Sequence, residues 1–278
     1  MEQEKQLILS IIGLGNMGGA LLSGIIRSGL IKKEKIAVFD IDSDKVAKYE
    51  KAFKVKALYD LKELILDSEY IVLAVKPQNI NEIMPSLKKY CSLRENVIIS
   101  IAAGIPTIYF EENIGNIPVL RIMPNTPALY GKGVSAVSKG KFVKREHVDF
   151  TESVMSSTGI VVFLEEKFQN LATAISGSGP AYFFLFCSFL INFAVKNGLD
   201  CETAKRMVIN TMIGAGEVLN KTDKTIDELI MSVASPGGTT EKALASFYGN
   251  DLEKIFIEAL DAALKRSMKM ESSILIKQ

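Results

Sequence analysis

Residues 8–18 read ILSIIGLGNMG, a β-branched apolar run that gives way to Gly13, Gly15 and Gly18. The run predicts a strand, and the helix-period segment Met17 to Ile26 follows it directly. Glycines at this spacing between a strand and a helix have separate tasks. Gly13 allows a tight turn, Gly15 lets the backbone come close to a pyrophosphate, and Gly18 allows close helix–strand packing. The N–H groups of the turn, Leu14, Asn16 and Met17 included, then face an anion at a helix N-terminus. Such triplets also occur in turns that bind no nucleotide, so the surroundings have to decide.

The next candidate strand, Ile36 to Phe39, ends in Asp40. This acid stands about 20 residues beyond Gly18, the separation expected of a carboxylate that accepts hydrogen bonds from ribose hydroxyls. Asp40 could instead simply cap the strand end. Together with the glycines it favours dinucleotide binding. The segment Phe39 to Lys45 carries Asp40, Asp42 and Asp44 but no Arg, and a carboxylate at Asp40 would repel a 2′-phosphate. The expected cofactor is therefore NADH or NADPH, with NADH slightly favoured.

Further along, Tyr70 to Val75, Val97 to Ser100 and Val119 to Met123 repeat the apolar, non-alternating pattern of strands buried on both faces. Helix-period segments separate them. Strand and helix in alternation predict a Rossmann-type, doubly wound parallel sheet. After about Phe168 the strand signals stop. Helical patterns take over at Gln169 to Ile175, Ala181 to Lys196, Cys201 to Leu219, Ile226 to Ala234, Thr239 to Phe247 and Leu252 to Met270. The α/β fold class is thus a dinucleotide-binding domain over residues 1–167 and an all-helical domain over 168–278.

The bulk composition agrees with this reading. A chain of 278 residues suits two domains, and 33 basic against 32 acidic residues leave a formal charge of +1. That balance offers no footprint for nucleic acid or an anionic membrane. Ala181 to Val195 is nearly all apolar, but it is shorter than a spanning helix and contains Ser188 and Asn192. It reads as a helix buried in a core or a subunit interface, with Phe183, Phe184, Phe186, Phe189 and Phe193 as interface core. The polar start Met1 to Gln6 leads into a strand rather than a signal peptide, and Cys91, Cys187 and Cys201 have no metal-ligand spacing. Both features point to reduced thiols and the cytoplasm. His147, in the charged stretch KREH, is expected at the surface, and no metal site can be built.

Five further segments carry a family resemblance. They are AVKPQ (Ala74 to Gln78), SIAAG (Ser100 to Gly104), RIMPNTPA (Arg121 to Ala128), SGSGPAYFF (Ser176 to Phe184) and SPGGTTEKAL (Ser235 to Leu244). In this order the chain resembles the pyrroline-5-carboxylate reductases over nearly its whole length. The resemblance implies hydride transfer from NAD(P)H to the cyclic imine 1-pyrroline-5-carboxylate, giving L-proline. It also implies a helical dimerisation domain in a homodimer or higher homo-oligomer. By the same resemblance Gly13 to Gly18 and Ala74, Val75, Lys76 and Pro77 line the cofactor. Ala102, Gly104 and Asn125 lie near the nicotinamide, and Ser235, Gly237, Gly238, Thr239 and Thr240 hold the substrate. Thr240 is the implied catalytic hydroxyl.

Physical reasoning supports the substrate segment independently. Pro236 and the glycines shape a turn with open N–H groups, and Thr239 and Thr240 begin a helix whose first N–H groups lack partners, which suits a carboxylate. Plain helix N-capping is the competing reading of the two threonines. Ser176 and Ser178 are balanced between a turn and an active-site wall, and Lys76 between the cofactor site and a strand end. Three positions depart from the family pattern. Ile230-Met231 replaces a basic–acidic pair, Ser246-Phe247 replaces Leu-Glu, and Leu61 replaces an Asn.

Two rival readings remain. A 3-hydroxyacid dehydrogenase would need a Lys and an Asn one helical turn apart after a glycine-rich segment, and SGSGPAYFFLF has neither. A dimeric paralogue that binds nucleotide without catalysis is the other.

Overall fold

The computed structural model describes residues 7–275. The start Met1 to Gln6, read above as leading into the first strand, lies outside the described residues. Eight strands form one sheet: β1 (Leu7–Ile12), β2 (Ile36–Phe39), β3 (Lys56–Ala57), β4 (Ser68–Leu73), β5 (Val97–Ser100), β6 (Val119–Met123), β7 (Gly133–Lys139) and β8 (Gly159–Phe163). Helices of the first two-thirds are α1 (Asn16–Ser28), α2 (Ser43–Phe53), α3 (Leu61–Asp67), α4 (Ile80–Cys91), α5 (Thr107–Ile114), α6 (Arg145–Ser156) and α7 (Gln169–Ala172). Five longer elements complete the chain: α8 (Gly179–Lys196), α9 (Cys201–Lys221), α10 (Ile226–Val233), α11 (Thr239–Gly249) and α12 (Leu252–Leu275).

The strand order is β3-β2-β1-β4-β5-β6-β7-β8. Its first six members follow the order of a doubly wound nucleotide-binding sheet. The sheet is not wholly parallel, because β7 runs antiparallel to β6. The sequence predicts neither β7 nor β8, nor the two-residue β3. β7 reads GVSAVSK, where small and polar residues hide the strand signal. β8 begins at Gly159, with φ +152° and no room for a Cβ beside the Gly133 backbone, so its entry depends on a distant partner.

Period-two alternation sends side chains to two cores. Ile12, Ile71, Leu73, Ile98 and Val119 pack with α3, α4 and α5 on one face. Leu9, Ile11, Val38, Val72, Ile99 and Ile122 pack with α1 and α6 on the other. Each such side chain stabilises the fold by about 1.5–3 kcal/mol on full burial. His147, expected at the surface, is buried at 7% exposure. It lies on α6, where its Nδ1 accepts the Lys144 N–H at 3.1 Å and its ring meets Tyr70 edge-on. A helix start thus hides a residue that three charged side chains precede in sequence.

The chain divides into two compact units, one holding the sheet through Ser178 and again from Ala263, the other running from Gly179 to Ala262. The sequence places the division at Lys167. The sheet unit keeps residues 168–178 because Gln169 is buried in it, with Nε2 donating to the Arg121 and Ala136 carbonyls and to Ser138 Oγ. Only Gly179 and Ala204 are buried among the described residues of the second unit. Along α8, Phe183 is 61% and Phe193 69% exposed. By length and composition Glu166–Lys196 is long and apolar enough to cross a membrane.

Candidate dinucleotide and carboxylate sites

The glycine turn after β1 is pinned at two points to the end of β2. Gly13 N–H donates to the Phe39 carbonyl at 2.8 Å, and Leu14 N–H donates to Asp40 Oδ2 at 2.7 Å. Gly13 has φ +102°, and a Cβ there would stand 2.8 Å from the Ala74 carbonyl carbon, so this turn and the one after β4 nearly touch. At Gly18 a Cβ would overlap the Gly13 carbonyl oxygen. Gly15 differs, since an added Cβ would meet no described atom within 4 Å. Packing within the protein therefore explains Gly13 and Gly18 but leaves Gly15 facing open space.

Gly15 is also the N-cap of α1, and no side chain caps that helix. The first N–H groups of α1, at Asn16, Met17 and Gly18, are left for a ligand. A pyrophosphate fits this cradle in charge and in the clearance that Gly15 provides. Asp40 is less free than its sequence position suggests. Its Oδ1 accepts the Asp42 N–H at 3.0 Å, and Lys45 Nζ lies 3.8 Å away. Both sequence readings of Asp40 thus meet in one carboxylate, which ends the strand and still has lone pairs available.

Other motif loops gather at the same carboxyl end of the sheet. Ala74 N–H donates to the Ile12 carbonyl, and Val75 and Pro77 are half-buried, with Lys76 exposed between them. Met17, Ile101 and Pro124, from the loops after β1, β5 and β6, border one small hollow. Ala102 is buried, and Gly104 adopts φ +74° with its Cβ position 3.3 Å from Met270 Cβ on α12. Asn125 is buried as well. Its Oδ1 accepts the Val134 N–H at 2.9 Å, and its Nδ2 donates to the Ser176 carbonyl at 3.2 Å.

Ser176 lies in a π-helical turn, Thr173–Gly177, closed by Ser178 N–H donating to the Thr173 carbonyl. The sequence predicts a helix ending at Ile175 and leaves Ser176 between a plain turn and an active-site wall. The wider turn lets Gly177 sit against Met123, where a Cβ would come within 2.5 Å of the Met123 Cε. Such insertions concentrate at functional sites.

In the second unit, Ser235 to Thr240 form a tight turn into α11. The two glycine N–H groups expected to be open are engaged, Gly237 with Glu241 Oε2 at 2.7 Å and Gly238 with the Ser235 carbonyl at 2.9 Å. Gly238 is the N-cap of α11, with no side-chain cap, so neither threonine performs the capping role weighed above. The first N–H to close an intrahelical bond is that of Lys242, which leaves Thr239, Thr240 and Glu241 amides facing outward.

Of the departures from the family pattern, Leu61 has a local structural account, and nothing in the structure explains Ile230-Met231 or Ser246-Phe247. Leu61 opens α3 and packs on the apolar core, so that position makes a hydrophobic contact. Met231 is exposed on α10, Ile230 half-buried. Arg121, which has no role in the sequence reading, is buried between Glu166 and Glu271. Nothing in the spacing of three such distant residues announces their contact. An open hollow of about 1110 Å3, bordered by Glu69, Asn96, Asn116 and His147, lies at the opposite, amino end of the strands. Doubly wound sheets bind their ligands at the carboxyl end.

Comparison with known proteins gives consistent matches. A family model described as pyrroline-5-carboxylate reductase dimerisation covers residues 166–270, and one described as NADP oxidoreductase, coenzyme F420-dependent, covers residues 8–104. The chain is 35% identical over 272 residues to the pyrroline-5-carboxylate reductase of Pseudomonas aeruginosa, a match spanning 96% of this chain and 97% of that protein. Among solved structures, the pyrroline-5-carboxylate reductase of Coxiella burnetii superposes with a TM-score of 0.89 at 32% identity, covering 95% of this chain and 98% of that one. The pyrroline carboxylate reductase of Plasmodium falciparum, solved with NADP bound, gives a TM-score of 0.86 at 33% identity, covering 97% and 100%.

Proposed function

The chain belongs to the pyrroline-5-carboxylate reductase family, and on that premise we propose how its own residues divide the work. It is an NAD(P)H-dependent oxidoreductase that reduces 1-pyrroline-5-carboxylate to L-proline, the closing step of proline biosynthesis. The observation that carries this reading is the match over nearly the whole chain, and the open space at Gly15 of this chain's glycine turn supports it.

The reduced nicotinamide, when bound, supplies the hydride. The chain's part is to bind the two reactants, orient them and offer a hydrogen bond to the ring nitrogen. Gly15, Asn16, Met17 and Gly18 receive the pyrophosphate on the uncapped start of α1, Gly13 and Leu14 hold that turn against the end of β2 beside the cofactor, and Asp40 takes the adenosine ribose. Ala74, Val75, Lys76 and Pro77 form the neighbouring wall, while Ala102, Gly104 and Asn125 border the nicotinamide.

The N–H groups of Thr239 and Thr240 hold the substrate carboxylate, Ser235, Gly237 and Gly238 shape the turn that presents them, and Ser178 is a further polar contact. The orphan amides at the start of α11 suit that anion. Thr240 Oγ1 lies one residue on and offers a hydrogen bond to the ring nitrogen, which makes the imine carbon a better hydride acceptor. Asp40 favours NADH over NADPH, because its charge is held in place by the Leu14 and Asp42 N–H groups.

The protein is a homo-oligomer acting on a small molecule. A homodimer in the cytoplasm, with no nucleic-acid or membrane partner, is the finer reading. The homodimer is supported by the nearly coreless second unit, whose exposed phenylalanines a second copy of that unit would cover; the rest is supported by the balanced charge of the chain. The deciding assay follows the absorbance of reduced cofactor after 1-pyrroline-5-carboxylate is added. Cofactor binding without oxidation of NADH or NADPH would overturn the catalytic reading in favour of a binding paralogue.

A further inference from the structure

Arg121 sits on β6 with its side chain 4% exposed, and two carboxylates from distant parts of the chain meet it. Nη1 is 3.3 Å from Glu166 Oε1, and Nη2 is 2.9 Å from Glu271 Oε2. A guanidinium this far from water has to be met by charged partners, and its planar fork fixes where they stand. Each partner leads on to another element.

Glu166 accepts the Thr107 N–H at 2.8 Å and the Thr107 hydroxyl at 2.6 Å, which fixes the start of α5, just past Gly104. Glu271 also accepts from Asn170 Nδ2 at 3.1 Å, and Asn170 Oδ1 accepts the Ser267 hydroxyl at 2.7 Å. Ser267 and Glu271 are one turn apart on α12, so from the same face Ser267 holds Asn170 and Glu271 holds both Asn170 and Arg121. The same turn of α12 brings Met270 against Gly104. The Arg121 carbonyl accepts from Gln169, at the head of the segment that enters the π-helical turn.

We propose that Arg121, clasped by Glu271, is a positioning residue for hydride transfer. It ties together β6 just before Asn125, the start of α5 just after Gly104, and Asn170 just before the Ser176–Ser178 turn. This rests on the assignment above of Ala102, Gly104 and Asn125 to the nicotinamide. A small displacement of those loops alters the distance and angle at which the hydride is given, with little change in how the pyrophosphate is held.

The test uses the full chain as wild type, Glu271→Gln, Arg121→Lys and the double variant. Glu271→Gln keeps the shape of the side chain and removes its charge; Arg121→Lys keeps the charge and loses the fork. Single-turnover rates with protonated and 4-deuterated cofactor, cofactor Kd and the thermal midpoint are measured on each. The expected result is a hydride-transfer rate about 10- to 100-fold lower in Arg121→Lys. Glu271→Gln falls by less, Kd stays near wild type, and the double variant is no slower than Arg121→Lys alone, as for residues acting as a unit. Wild-type transfer rates in the folded variants, or a loss confined to Kd or to the thermal midpoint, overturn the proposal. If Arg121→Lys does not fold, Glu271→Gln decides. A wild-type protein that does not reduce the imine removes the assigned function and this inference with it, whereas an active wild type with unaffected variants removes the inference alone.

Discussion

The backbone N–H of Leu14 donates to Asp40 Oδ2 at 2.7 Å, so the acid that ends the second strand is also the clasp of the glycine turn that ends the first. The turn and the ribose-binding carboxylate are therefore one mechanical unit. Its negative charge stands where a 2′-phosphate would approach, softened by Lys45 Nζ at 3.8 Å. The specificity constant for NADH is expected to exceed that for NADPH. Steady-state titration of both cofactors at saturating imine checks this, and a clear NADPH preference would show that Lys45 outweighs Asp40.

Gly15 and Gly18 separate ligand clearance from packing. Gly18→Ala places a methyl on the Gly13 carbonyl and should cost about 1–3 kcal/mol of stability. Gly15→Ala meets no described atom and should leave the thermal midpoint unchanged while weakening cofactor binding at least about tenfold, or about 1.4 kcal/mol. Calorimetry and a cofactor titration on both variants decide it. Unaltered cofactor affinity in Gly15→Ala would place the pyrophosphate elsewhere.

Thr240 is the hydroxyl proposed to assist the chemistry. Thr240→Ala should lower turnover by roughly 10- to 1,000-fold, as for loss of one positioned donor, while cofactor binding persists. Near-normal turnover would remove this hydroxyl from the mechanism and leave the α11 amides as the whole substrate site.

The apolar α8 surface calls for a second copy of the chain. Light scattering should give at least twice the monomer mass, and a charge at Phe189, as Phe189→Glu, should shift the protein toward monomer and cut activity. A fully active wild-type monomer would end the dimer reading.

His147 gives the fold a pH dependence. Burial, the largest influence, holds its pKa below the ordinary histidine value; Glu146 opposes this and Lys144 reinforces it. In the window between the folded value and the unfolded value of about 6.5, the unfolded chain binds more protons. Stability therefore rises with pH there, is fully present above about 6.5, and is lost as the pH falls through the folded value. Gln at this position keeps a side-chain acceptor for the Lys144 N–H without titrating. Thermal midpoints from about pH 7 down to 5 should fall more steeply for wild type than for His147→Gln. Parallel slopes would show that other groups set the acid limb.

The glycine spacing, the strand of Leu7–Ile12, the acid at Asp40 and the run of helices from Gly179 onward were all legible in the sequence. Each is written in local chemistry: a turn only glycine can make, a β-branched run, a helical period between capping residues. The family motifs added the implied uses of Asn125 and Thr240. Tertiary structure alone decided the rest. The antiparallel β7 and the edge strand β8 follow from pairing partners, not from their own weakly apolar sequences. His147 is buried because α6 turns that side of a charged stretch toward Tyr70. Glu241 turns back onto the Gly237 N–H, an interaction set by the turn's dihedral angles. Arg121 meets Glu166 and Glu271 across 45 and 150 residues of chain. Such contacts leave no period or spacing in the sequence, because they depend on where whole elements dock and not on how any one of them forms.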